Sequence, residues 1–100
     1  MIKHVVMWKL RGPSAAERAQ QTLRVRDALH ALRGRIPGLR TLEVGIGEPG
    51  DEQHADVVLI TTHDDWDAVK AYQVHPEHLI AAGVIGELRV ERRVLDFEIA

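Results

Sequence analysis

One hundred residues give this chain enough length for one domain, 1–100, and its 45% apolar composition is enough for a real but small core. The formal charge is −2, with 13 Lys and Arg against 15 Asp and Glu, and no basic stripe stands out. That balance argues against nucleic acid as the main partner. Cysteine is absent, which excludes disulfides, thiolate metal sites and cysteine nucleophiles and fits a reducing compartment such as the cytoplasm. The opening Met1–Val6 segment is too short and polar for a signal peptide. No apolar run approaches the roughly 20 residues of a membrane helix, so no membrane partner is expected.

Residues 2–10 alternate. Ile2, His4, Val6, Trp8 and Leu10 share one face, and Lys3, Val5, Met7 and Lys9 share the other, as a strand requires. Gly12-Pro13 ends it. Ser14 and Glu17 have the spacing of a capping box. The helix that follows is expected to reach about Leu32, with Ala19, Leu23, Val25, Ala28, Leu29 and Leu32 as its apolar stripe and Gly34 as C-cap. Ile36-Pro37-Gly38 reads as a turn. A second strand alternates over 40–46, and 47–51 forms a breaker-rich loop. A third strand, rich in β-branched residues, covers 56–62. Asp64 or Asp65 caps a helix to about Val74; Pro76 restarts it to about Ile85. A last strand spans 88–99, with Leu95, Phe97 and Ile99 on one face and Val90 and Val94 on the other. The order β-α-β-β-α-β predicts an α+β, ferredoxin-like fold.

Both faces of this sheet carry apolar residues, for Val57 and Leu59 oppose Val58 and Ile60. Two helices cover only one face. The other is predicted to meet a second copy of the chain, sheet face to sheet face, as a homodimer.

The densest chemistry lies in Tyr72-Gln73-Val74-His75-Pro76-Glu77-His78. With His75 as N-cap and Pro76 first in the helix, His78 falls in the first turn, where the helix dipole disfavours its second proton. A neutral His78 suits a general base, and Tyr72 suits a hydrogen-bond donor to a carbonyl. His4 projects from the first strand on the same face as Val6 and Trp8. His75 and His63, at the end of the third strand, complete the candidate ligand-binding set with Val6 and Trp8, around a small apolar pocket. A plainer reading stands beside this one. Pro76 and His75 fix the helix break, and Tyr72 and His4 are core residues with satisfied polar atoms. A metal held by His75 and His78, with His4 or His63, is disfavoured, because a zinc site shows tighter pairing and acidic supporting partners. No cofactor motif is present; Gly45 and Gly47 precede no helix. Trp8 and Trp66 read as packing residues, and His30 and His54 as solvated ones.

The segments Met1–Leu10, Ile36-Pro37-Gly38, Asp56–Leu59, Ala71–Leu79 and Glu91–Phe97 together resemble the stress-responsive α/β-barrel (Dabb) family over essentially the whole chain. The resemblance implies a ferredoxin-like fold and a dimer whose sheets form a joint barrel. Most members have no assigned reaction. One with a defined reaction is a polyketide cyclase, which closes a linear thioester by intramolecular aldol condensation. Its working tyrosine and histidines match Tyr72, His78 and His4 here. The Leu79-Ile80-Ala81-Ala82 segment departs from the glycine and aromatic residues that shape that enzyme's pocket. Three functions follow as expectations: a small-ligand binding or stress-related module, a cyclase-like enzyme with His78 as base and Tyr72 as donor, and an interaction subunit.

Overall fold

The computed structural model describes every residue except Pro49, Asp51 and Ala100, so that part of the expected 47–51 loop lies outside the described residues. The elements are β1 (Ile2–Leu10), α1 (Ala15–His30), β2 (Leu39–Ile46), β3 (Val57–His63), α2 (Trp66–Val74), α3 (Pro76–Leu88) and β4 (Arg89–Glu98). The strands form one antiparallel sheet in the order β2-β3-β1-β4. This is the expected ferredoxin-like plan, with the second helix divided at His75.

Alternation on β1 sorts the layers. Ile2, His4, Val6, Trp8 and Leu10 are all buried and turn toward the helices. Val6, Trp8 and Leu10 pack with Val57 and Leu59 of β3 against Val25, Leu29 and Leu32 from α1 and its C-terminal turn, and against Tyr72, Ala81 and Ile85 from α2 and α3. Each such large apolar side chain contributes on the order of 2 kcal/mol by leaving water.

Helix α1 starts as its sequence dictates: Ser14 Oγ accepts from the Glu17 N–H at 3.2 Å. Its buried arc is Thr22, Val25 and Leu29; the expected Leu23 is exposed. One residue rotates the position by about 100°, and Thr22 takes the inward place because its hydroxyl donates to the Ala19 carbonyl at 2.7 Å. The helix ends at His30 with Ala31 as cap, not at Gly34. Gly34 (φ +72°) instead sits in the turn beyond.

The opposite sheet face has no helix over it. There Val5 lies between Ile60 and Leu95, Met7 between Val58 and Arg93, and Lys3 between Thr62 and Phe97. Met7, Leu95 and Phe97 are exposed, and Trp66, expected to anchor α2, is exposed as well.

Gly38 shows how tightly the α2 end is closed. Its φ is +85°, and a Cβ there would lie 2.8 Å from that of Ala68, whereas a Cβ at Gly34 would meet nothing within 4 Å. Left-handed backbone alone costs roughly 1–2 kcal/mol for an L-residue. Gly34→Ala is therefore expected to lose about 1 kcal/mol and Gly38→Ala about 2–4 kcal/mol in urea unfolding. Equal losses would mean that Ala68 yields at no cost.

Candidate functional site

Proline at 76 forbids the helical conformation at the residue before it. His75 accordingly is extended (φ −65°, ψ 136°), closing α2 and opening α3. Its N–H donates to the Tyr72 carbonyl at 3.2 Å, and its Nδ1 accepts from the Glu77 N–H at 3.1 Å. The corner folds Tyr72 and His78 onto one another, with ring centroids 4.4 Å apart.

Beneath them β1 supplies His4, whose ring centroid lies 5.7 Å from that of Tyr72. His4 Nδ1 pairs with Asp96 of β4, its direct neighbour across the β1–β4 ladder. A carboxylate accepts only, so Nδ1 carries a proton toward it, and in the neutral ring the lone pair is on Nε2.

His4, Tyr72 and His78 line one cavity of about 240 Å³. Val6, Trp8 and Leu59 make its sheet side, and Ala81, Ala82 and Ile85 its α3 side. Two arginines, Arg89 and Arg92, complete the lining from β4.

Five of the seven candidate residues thus converge: His4, Val6, Trp8, Tyr72 and His78. The other two do not line the cavity. His75 spends its ring nitrogen on capping α3, as the plainer reading had it. His63 is fully buried rather than at a pocket mouth, because β3 is flanked by both β2 and β1, and its ring lies 4.8 Å from Tyr72. His63 Nε2 shares a 2.9 Å hydrogen bond with Thr61 Oγ1. Sequence reasoning missed Asp96, Arg89 and Arg92. The available signal for two of them was the period of β4, which puts Arg92 and Asp96 on the face of Val90 and Val94. Among the described residues no group of three or more His, Asp or Glu could hold a metal ion.

Burial governs the protonation states. It pushes His63 down to about 4, helped by the neighbouring His4, and lowers His78 as well. It pushes the Tyr72 phenol up to about 12. His78 Nδ1 faces the Gln73 carbonyl at 3.1 Å, so that nitrogen carries the proton of the neutral ring and Nε2 is the basic one. Among the described residues the Tyr72 hydroxyl and His63 Nδ1 are buried with no hydrogen-bond partner. A lone buried hydroxyl of this kind costs roughly 1–3 kcal/mol.

The stress responsive A/B barrel domain (Dabb) family model matches residues 2–99. The chain belongs to the Dabb family. This Dabb domain is 30% identical to a dimeric protein of unknown function with a ferredoxin-like fold from Bacteroides fragilis, at a TM-score of 0.86, covering 98% of this chain and 95% of that one. A dimeric ferredoxin-like protein of unknown function from Thermobifida fusca is 24% identical at 0.83, with 98% and 90% covered. A Dabb family protein with a ferredoxin-like fold from Mesorhizobium loti is 19% identical at 0.74, with 99% and 96% covered. No curated protein matches the sequence. Among the described residues of this Dabb domain, no helix is long and apolar enough to cross a membrane.

His63 also makes the fold sensitive to acid. An unfolded histidine titrates near 6.5, and the folded one near 4. The unfolded chain binds the extra proton between those values, so the stability from a neutral His63 is complete above pH 6.5 and is lost as pH falls toward 4. The loss is on the order of 3 kcal/mol. Urea unfolding across this window is expected to show that slope, and His63→Gln to flatten it.

Proposed function

We propose that this protein is a single-domain cytoplasmic Dabb homodimer whose cavity binds a small, mostly apolar molecule through a carbonyl group. The supporting observation is the buried Tyr72 hydroxyl, unpaired among the described residues, on a side chain that lines a cavity whose other polar groups are His4, His78, Arg89 and Arg92 and whose remaining walls are aliphatic or aromatic. A phenol pushed up to about 12 stays protonated at neutral pH and is a donor. A ligand carbonyl oxygen supplies the acceptor that the described residues do not.

A second reading is favoured by the tautomers of His78 and His4. Each has its Nδ1 engaged, and each lines the cavity with its Nε2 unprotonated in the neutral ring. A base beside a carbonyl held by a phenol suits removal of the α-proton, with Tyr72 stabilising the enolate oxygen. In this cyclase-like reading His78 is the base, since burial holds it neutral, and Asp96 orients His4.

Butyrophenone, a neutral ketone, tests both. Wild type is expected to bind it, and Tyr72→Phe to bind about tenfold more weakly, one hydrogen bond's worth, with unfolding unchanged or shifted upward. Equal binding by the two would remove the phenol from the site. Exchange of the ketone's α-hydrogens in D2O, followed by NMR, separates the readings. If His78 is a base, wild type accelerates exchange and His78→Gln abolishes it while retaining affinity. Binding without accelerated exchange identifies a binding module.

The homodimer is proposed to form through the helix-free sheet face. That face carries exposed Met7, Leu95 and Phe97 around half-buried Val5, Val58 and Ile60, and similar solved proteins are dimeric. Leu95→Glu is expected to yield a monomer in sedimentation equilibrium, with the cavity side of the sheet unaffected. A dimer that persists would place the interface elsewhere.

A further inference from the structure

Two cavity-lining side chains have no role in the reading above: Arg89, the C-cap of α3, and Arg92, on the helix-facing side of β4 opposite Trp8. Both are exposed, so they stand where the cavity meets solvent. Several other arginines of this chain are paired. Arg40 holds the Asp64 carboxylate with two bonds, at 2.5 and 2.8 Å; Arg18 meets Glu52 at 2.9 Å; Arg35 approaches Glu77 at 3.8 Å. Among the described residues neither the Arg89 nor the Arg92 guanidinium has a hydrogen bond or an ion pair. Arg92 also reaches the far side of the cavity electrically. Burial dominates the titration of Tyr72 and His78, and the charge of Arg92 pulls both downward.

Two unpaired guanidinium groups at the rim of an apolar cavity are a receptor for an anion, since the planar fork of arginine fits a carboxylate with two parallel bonds. The cavity sets the size of the rest. A cavity of about 150 Å³ holds benzene, so one of about 240 Å³ takes roughly ten non-hydrogen atoms on the same scale. We infer that the ligand is an organic acid whose body, apart from the carboxylate, is of about that size, with its carboxylate between Arg89 and Arg92, an apolar body against Trp8 and Ile85, and a carbonyl oxygen directed at Tyr72. This assignment rests on the pocket reading above and adds the charge of the ligand to it.

The test compares 4-oxo-4-phenylbutanoate with its neutral primary amide, which has the same shape and the same ketone. Calorimetric titration of the whole protein is expected to show the acid binding at least tenfold more tightly than the amide. In Arg89→Gln/Arg92→Gln that advantage is expected to fall to about onefold, with affinity for the amide unchanged. Arg89→Lys/Arg92→Lys, which keeps the charges and loses the forks, is expected to fall between. Amide and acid bound equally by wild type would overturn the anionic assignment and leave the ketone pocket standing. An acid preference that survives the glutamine variant would overturn the role of these arginines. Binding of neither compound would overturn the pocket reading and this assignment together. Both arginines are exposed, and thermal unfolding of each variant confirms the fold.

Discussion

The candidate site depends on one backbone constraint: proline 76 keeps His75 out of the helical region. Without it, α2 and α3 would run on as one helix. Tyr72 and His78 would then sit six residues apart, well over one turn along the axis and on diverging faces. The break instead lets α3 restart at a new angle and brings the two rings to 4.4 Å. His75 stabilises the corner from both sides, with its N–H toward α2 and its ring nitrogen toward α3. The same residue cannot also be a ligand through that nitrogen. Its apparent promise in the sequence is consumed by building the corner.

Burial then assigns the chemistry. Of the three imidazoles near Tyr72, His63 is sealed beneath the phenol and neutral, His4 is oriented by a carboxylate, and His78 is oriented by a backbone carbonyl. The phenol remains a donor because burial opposes its ionisation. A hydroxyl left unpaired in such a place is a standing cost of folding. It is relieved when an acceptor enters, so the cost of the unpaired hydroxyl and the affinity for an acceptor have a common origin.

What could be read from the sequence was local. The alternation of β1, the Ser14 cap and the break before Pro76 each depend on neighbours within a few residues, and each is found as expected. Gly34 as a helix cap and Leu23 as a core residue were local readings that failed, because α1 ends two residues before Leu32 and a one-residue change of phase turns a side chain by about 100°. The long-range part of the site was not legible. His63 is buried because β3 is flanked on both sides, a fact of strand order. Asp96 belongs to the site because the β1–β4 register sets it opposite His4 across 92 positions of sequence. The period of β4 puts Arg92 and Asp96 on one face, but only the pairing says that this face looks into the cavity.

Strand β4 connects the two proposed interfaces of the molecule. At an edge of the sheet it has a partner on one side only, and nearly every one of its side chains is exposed. Its helix-side parity carries Arg92 to the cavity and Asp96 to His4, and its outward parity carries Leu95 and Phe97 to the uncovered face. An edge strand so thinly packed holds its side chains loosely on its own. A second copy packed on Leu95 and Phe97 would remove that freedom, fixing Arg92 and Asp96 through the same backbone. On this argument the dimer is part of the binding site even if no residue of the second copy touches the ligand, since it sets how firmly the carboxylate of Asp96 and the guanidinium of Arg92 are held.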